Sequence, residues 1–384
     1  MHSSVAGYDI SGEVLETGPD FPFKPGDQIF GVNPAYPGRP MPMGAHQDYA
    51  IAAGHFWYKL PPAATFGLCE AATLPVMMLT AADGLFHLLG LGFPGAGIVG
   101  DESQGLLIWG GASTVGVAAL QLARAAGHAP ILVTASTKNH GSLRALGADY
   151  CFDYKDHDVV VQIKEAIRKS GRHICKALDA VGVGSFAEGD DFQKSTPAQT
   201  AASLLQLGPD GIELACVLPL REDPRYRLCF ATRDPNIPVP MAQVEDHQAW
   251  LGMQEKVMAW VTKNYGEGKY VGCPNVTVVR GTAASLDAMH RSAKVKSSLE
   301  KVVIQHPFWE SNFYRLYAVY LQSRCPLFKR FGVEKPSPLH PLHACGVNMM
   351  KFVRQWTNGK LQTYNELVRT WKVERTSRMG CISF

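Results

Sequence analysis

Leu106-Leu107-Ile108-Trp109-Gly110-Gly111-Ala112-Ser113-Thr114-Val115-Gly116, running directly into Val117-Ala118-Ala119-Leu120-Gln121-Leu122-Ala123-Arg124-Ala125-Ala126-Gly127, sets the architecture of this chain. An apolar run too short for a helix, a glycine pair, and a helical apolar pattern closed by Gly127 predict strand, tight turn and helix. A helix N-terminus presents backbone N–H groups and a partial positive charge, so a pyrophosphate can sit there if no side chain blocks the backbone. Gly111 and Gly116 meet that condition, the first at the turn and the second where helix packs on strand. With Ser113, Thr114 and Val115 at the helix start, they are the candidate phosphate contacts. The dinucleotide fingerprint G-x-G-x-x-G is matched at its first and last positions, with Ser113 at the middle one. Taken alone, the pattern also suits a plain turn.

The residues that follow extend the pattern. Ala129-Pro130-Ile131-Leu132-Val133-Thr134-Ala135-Ser136 reads as a second strand at βαβ spacing, and Leu143-Arg144-Ala145-Leu146-Gly147-Ala148-Asp149 as a helix end feeding a third. An NAD-specific site places Asp or Glu about 20 residues past the fingerprint, on the ribose 2′-hydroxyl. Here that position is Ser136, followed by Thr137, Lys138 and Asn139. Hydroxyls and an ammonium suit a 2′-phosphate, so the reading is NADPH. The alternative is that these are solvated loop residues.

The 384 residues suit two domains. With 46% apolar and 18% charged residues the composition is that of an ordinary globular protein. The formal net charge of +3, without a basic block interleaved with aromatics, gives no reason to expect nucleic acid as a partner. No leader-like segment opens the chain and no long apolar run interrupts it, so no membrane partner and a cytoplasmic location are expected. Nine cysteines, scattered singly, give neither a C-x-x-C pair nor a disulfide framework and fit reduced, mostly buried thiols.

Further motifs occur in order along the chain: Gly7-Tyr8-Asp9-Ile10-Ser11-Gly12-Glu13-Val14, then Phe23-Lys24-Pro25-Gly26-Asp27-Gln28-Ile29-Phe30-Gly31, and Gly44-Ala45-His46-Gln47-Asp48-Tyr49-Ala50-Ile51, each read as strand or turn-strand. Glu70-Ala71-Ala72-Thr73-Leu74-Pro75 and Leu79-Thr80-Ala81-Ala82 read as helical. Cys151-Phe152-Asp153-Tyr154-Lys155-Asp156 accompanies the third strand of the second group, Lys176-Ala177-Leu178-Asp179-Ala180-Val181 the fourth, and Lys301-Val302-Val303-Ile304 reads as a closing strand. This succession resembles the medium-chain dehydrogenase/reductase superfamily over about residues 5–306. The combination of Trp-Gly-Gly-x-Ser-x-x-Gly, Ala-Ser-x-Lys-Asn and Phe-Asp-Tyr-x-Asp is most similar to its zinc-free branch, which includes trans-acting enoyl reductases of fungal polyketide pathways.

The resemblance implies an α/β fold, a Rossmann doubly wound parallel sheet plus a GroES-like β-barrel. It divides the chain into a catalytic part at 1–84, a cofactor domain at 85–245, a return to the catalytic part at 246–306 and an unrecognised extension at 307–384. It also implies roles. Thr80 matches a threonine lining the nicotinamide pocket, although a helix N-cap or a hydroxyl bonded back to its own helix is the alternative. Tyr154 matches a tyrosine beside the 2′-phosphate, and Leu218 falls among the cofactor contacts. Superfamily members carry some forty to fifty residues ahead of the segment that opens this chain, including in enoyl reductases a lysine near the nicotinamide. The barrel is therefore expected to be incomplete, with unpaired edges. The tail is expected to pack in part on those edges, through helices at 345–356 and 361–373.

Metal is not expected, because neither the catalytic nor the structural ligand set of zinc alcohol dehydrogenases is present. His46 and His55 read as surface residues, Asp9 and Asp27 as turn-formers first, and His340-x-x-His343-x-Cys345 offers only three ligands in a Pro-rich stretch. Cys381-Ile382-Ser383-Phe384 has the form of a prenylation box that four-residue patterns also reach by chance. The resemblance thus implies NADPH-dependent, zinc-independent reduction of an activated C=C bond, with a small-molecule or carrier-bound acyl substrate and a polyketide synthase as partner. A quinone or enone oxidoreductase, or a relative that has lost catalysis and binds a synthase, are the alternatives.

Overall fold

In the computed structural model, which describes residues 5–19, 21–33, 39–204, 211–233, 247–266, 268, 270–294, 298–307 and 380–383, three strands come first: β1 (Asp9–Glu13), β2 (Gln28–Val32) and β3 (Trp57–Lys59). Helices α1 (Leu68–Ala71) and α2 (Pro75–Ala82) follow, and α2 widens into a π turn, Asp83–Leu88. Then β4 (Leu106–Trp109), α3 (Thr114–Ala125), β5 (Ile131–Thr134), α4 (His140–Ala145), β6 (Tyr150–Phe152), α5 (Val159–Ser170) and β7 (Lys176–Asp179) alternate. After α6 (Gly189–Phe192) and α7 (Thr196–Leu204) come β8 (Glu213–Cys216), β9 (Tyr226–Leu228) and α8 (His247–Asn264), then β10 (Asn275–Arg280), α9 (Thr282–Lys294), β11 (Glu300–His306) and β12 (Gly380–Ser383).

The alternating half forms a six-stranded, all-parallel sheet in the order β6-β5-β4-β7-β8-β9. Every residue of β4, β5 and β7 is buried, because helices cover both faces. Leu106 and Ile108 point into a core shared with α2, α3 and α8, while Leu107 and Trp109 join Ile163, Ile167, Ala201 and Leu204 of α5 and α7. This is the doubly wound Rossmann arrangement expected from the sequence.

The remaining strands form a second sheet in the order β10-β11-β12-β1-β2-β3, antiparallel except for the β10–β11 pair. Residues Gly380–Ser383 lie between β1 and β11, with Ile382 opposite both Ile10 and Ile304. Residues Gly380–Ser383 therefore occupy a slot in this second sheet, and Cys381 pairs with Ser11 on one side and Gln305 on the other. The proposed tail helices and the His340–Cys345 stretch lie outside the described residues. Among the described residues no helix is long and apolar enough to cross a membrane.

Three expectations fail here for identifiable reasons. Residues 44–51 are not a strand but a series of bends, because scattered backbone and side-chain partners rather than a strand ladder satisfy the backbone: Ala45 and His46 N–H donate to Ala6 O, and Ile51 N–H to Pro42 O. Asn33 Nδ2 donates to Met43 O (2.9 Å) and Ile51 O (2.7 Å), its Oδ1 accepts from Ala53 N–H, and Gln47 Nε2 donates to Gly44 O (2.7 Å). Asp9 is not a turn-former. It is buried in β1, accepts from Lys301 Nζ at 2.8 Å and from Val76 N–H at 2.8 Å, and so joins β1, β11 and the start of α2. His46 is half-buried rather than on the surface, tucked so close that a Cβ on Gly7 would stand 2.9 Å from its Nε2. Asp27 does hold a turn, accepting from Lys24 N–H and pairing with Lys59, and His55 is exposed.

Burial, reinforced by the nearby His306, holds the His46 imidazole down at about 4. The folded chain keeps this ring neutral where the unfolded chain, with an ordinary value near 6.5, binds a proton. Its contribution is thus fully present above about pH 6.5 and is lost as pH falls toward 4, on the order of 3 kcal/mol across that window. Urea midpoints at pH 7.5 and pH 5 should therefore differ more in the parent than in His46→Gln; an equal pH response in the two proteins contradicts the assignment.

Candidate cofactor site

The turn after β4 is built from three glycines with different duties. Gly110 has φ +83°, and a Cβ there would fall 2.0 Å from Val181 Cγ2. Gly111 lies against Val133, where a Cβ would come within 2.9 Å, and Gly116 against Gly110 O, at 2.2 Å. The sequence assigned the turn to Gly111; the positive φ falls on Gly110, and Gly111 instead allows the turn to pack on β5. Thr134 anchors both, its Oγ1 accepting from Gly110 N–H and its carbonyl from Gly111 N–H, each at 2.9 Å.

Ser113 is the N-cap of α3: its Oγ accepts from Gly116 N–H at 3.0 Å and donates to Ala180 O at 3.0 Å. Its hydroxyl thus faces into the protein and ties β7 to the helix start. Thr114 and Val115, half-buried, open the first turn of α3, where N–H groups point away from the helix. The three glycines let the turn close on β5, β7 and the start of α3, where a Cβ would collide with Val133, Val181 or Gly110 O, and the first-turn N–H groups it leaves at the helix start suit a pyrophosphate.

At the far side of β5, Ser136 Oγ donates to Tyr154 Oη at 3.4 Å, and exposed Lys138 sits on the turn Thr137–Asn139. The structure therefore brings Ser136, Lys138 and Tyr154 to one end of β5 and β6. Sequence reading missed Asp153, which joins them. Its carboxylate accepts from Thr137 Oγ1 (2.5 Å), Thr137 N–H (3.2 Å) and Lys155 N–H (3.0 Å). The Thr137 hydroxyl, then the Lys155 amide, hold it below the usual carboxylate range. Both oxygens are engaged in shaping the loop. The neighbouring aromatic and the exact-length motif Phe-Asp-Tyr-x-Asp were the only sequence signal for it.

Beyond β7 and β8 the loops are equally pinned. Buried Asp179 accepts from Val181 N–H (2.9 Å), Gly182 N–H (3.0 Å) and Thr196 Oγ1 (2.6 Å), yet burial outweighs these donors and pushes its carboxyl up. Gly182, at φ +65°, packs on partly exposed Leu218, whose N–H donates to Cys216 Sγ at 3.5 Å. Thr80 is buried on α2, which packs on α3, so it and the phosphate turn lie on neighbouring helices. Leu299 N–H donates to Ala112 O at 2.9 Å, fastening the entry to β11 onto the same turn. Among the described residues no group of three His, Cys, Asp or Glu has the arrangement of a metal site. A separate groove of about 630 Å³ between β3 and α8, lined by Phe23, Trp57, Tyr58 and Met258 among others, contains none of these residues.

The family model described as zinc-binding dehydrogenase matches residues 114–189, from α3 to α6. The trans-enoyl reductase pvhC of Talaromyces variabilis is 37% identical over 191 residues, which is 48% of this chain and about half, 50%, of that protein's length. The trans-enoyl reductase tndF of Aspergillus flavipes is 29% identical over 311 residues, 79% of this chain and 83% of that protein. Among solved structures, an alcohol dehydrogenase superfamily protein from Novosphingobium aromaticivorans superposes with a TM-score of 0.54 at 18% identity, over 76% of this chain and 78% of that one, which speaks to the fold.

The glycine geometry predicts a sharp contrast between two alanine substitutions. Gly110→Ala forces both a left-handed alanine and a clash with Val181, so it should cost about 2–3 kcal/mol and weaken nucleotide binding. Gly141→Ala has open space around its new Cβ and should melt as the parent does. Equal melting temperatures for the two variants contradict the cradle.

Proposed function

We propose that this chain, which belongs to the medium-chain dehydrogenase/reductase superfamily, is an NADPH-dependent, zinc-independent reductase of an activated C=C bond, its substrate an enoyl thioester of polyketide assembly presented by a synthase. The observation that carries the reading is the joint arrangement at the ends of β4, β5 and β6. A glycine cradle stands at the start of α3, while Ser136, Lys138 and Tyr154 gather where an NAD site would place an acid. The names of the fungal relatives support the enoyl substrate.

In this reading the first-turn N–H groups of Thr114 and Val115 meet the pyrophosphate, and Gly111, Ser113 and Gly116, whose N–H groups donate to Thr134 O, Gly110 O and Ser113 Oγ, shape the turn beside it. Ser136, Lys138 and Tyr154 hold the 2′-phosphate, with Asp153 fixing their loop through Thr137. NADPH supplies a hydride when bound. Thr80 and Leu218 line the nicotinamide end. The catalytic part is then formed by residues 1–84 and 246–306 around the cofactor domain at 85–245.

Nucleotide titration in the presence of a chelator tests the reading. NADPH should bind more tightly than NADH, and Lys138→Ala should weaken NADPH roughly tenfold or more, as loss of a charge-assisted contact does, while leaving NADH unchanged. Equal affinity of the parent for the two nucleotides, or binding that requires zinc, would overturn it.

A further inference from the structure

We propose that Asp83 is a positioning residue for the nicotinamide end of this site, locking the helix that carries Thr80 to the loop beyond β9; the inference rests on the reductase reading above. Asp83 caps α2, its N–H donating to Leu79 O and Thr80 O, and at this residue the helix opens into the π turn. Single π turns are rare and recur at functional sites. The Asp83 carboxylate is fully buried and accepts four hydrogen bonds. Oδ1 takes Arg233 Nε (2.8 Å) and Trp250 Nε1 (2.9 Å); Oδ2 takes Arg233 Nη2 (2.7 Å) and Phe230 N–H (2.8 Å).

Three segments distant in sequence meet at this one carboxylate: the end of α2, residues 228–233 and α8. Arg233, 2% exposed, also donates to Leu228 O at 2.9 Å, so the guanidinium spans the whole loop. That loop begins beside the one holding Leu218, since Cys229 N–H donates to Cys216 O at 2.8 Å. Gly84 completes the contact: a Cβ there would lie 3.2 Å from both Cys229 Sγ and Leu178 Cδ1, so the π turn sits directly against β7 and the loop.

Loops at the carboxyl ends of parallel strands are where a doubly wound sheet binds its cofactor. A buried ion pair is not the most stabilising filling for such a place, because apolar side chains of similar volume often serve as well or better. What the pair supplies is direction. The planar guanidinium fork and the two oxygens admit one arrangement, in which Phe230 N–H, Trp250 and the Thr80 turn are all held together. Asp83 touches none of the reacting groups, and acts through the segments it fastens.

The test compares Asp83→Asn with the double variant Asp83→Leu/Arg233→Met. The single change leaves a guanidinium buried without its counter-charge and should lower the melting temperature. The double change removes both charges and should recover most of the melting temperature, while the Phe230 amide exchanges faster and NADPH binds roughly tenfold more weakly or worse, as small misplacements at such sites do. A double variant with parent-like Phe230 exchange or parent-like NADPH affinity overturns the proposal. If that variant does not fold, Trp250→Phe removes one donor and keeps both charges; parent-like NADPH affinity there overturns it equally, and weakened affinity at an unchanged melting temperature supports it. A parent that binds no nicotinamide nucleotide overturns the reductase reading, and the lock then stands or falls on the exchange difference alone.

Discussion

The buried ion pair between Asp9 and Lys301 is the contact on which the rest of the molecule leans. Its partners are 292 residues apart in the chain, 2.8 Å apart in space and almost wholly removed from water, with side-chain exposures of 4% and 3%. Two charges placed there are tolerable only together: losing one partner of such a pair typically costs about 3–5 kcal/mol. Asp9 also accepts from Val76 N–H at the start of α2, so the pair fixes the sheet of β1 and β11 to the helix that carries Thr80. At its other end that helix is fixed by Asp83. One short helix is thus held at each end by a buried carboxylate, with the residue assigned to the nicotinamide site between them.

The same device recurs wherever two parts of the chain must keep a set relation. Lys176, at the start of β7, donates to Leu89 O and Glu213 and pairs with Asp101, while Asp179 at the end of the same strand gathers Val181, Gly182 and Thr196. Gln121 on α3 donates to Gly272 O and accepts from Val271 N–H, joining α3 to the approach to β10. Hydrophobic burial supplies most of the cohesion, but it is non-directional. Directed polar contacts decide how the two sheets meet.

What was legible in the sequence follows from range. The Rossmann half could be read because strand, turn and helix are local patterns: four apolar residues, a glycine pair, an N-cap serine and a closing Gly127 lie within 22 positions. Ser136 could be reached by counting on from Gly116, whereas Tyr154 came only with the resemblance to a family; βαβ spacing then carries the two to adjacent strand ends. Asp9 and His46 could not be read, since each looks like an ordinary polar residue beside glycines and finds its surroundings in β11. The failed strand at 44–51 has the same cause, because the Asn33 and Gln47 side chains together with backbone bonds to Ala6 and Pro42 replace a sheet ladder, and no local periodicity signals them. The slot taken by Gly380–Ser383 was foreseen only as a demand for cover, not as a strand. Asp83 was invisible as a hub because its donors stand 147 to 167 residues away.

Hydride delivery to carbon can be followed by isotope transfer. NADPH carrying deuterium at C4, with each face labelled in turn, is incubated with the protein and a short 2-enoyl thioester, and the product is analysed by mass spectrometry. A saturated thioester with one deuterium at the β-carbon is expected from one of the two labelled nucleotides. A β-carbon that acquires no deuterium from either nucleotide would contradict it.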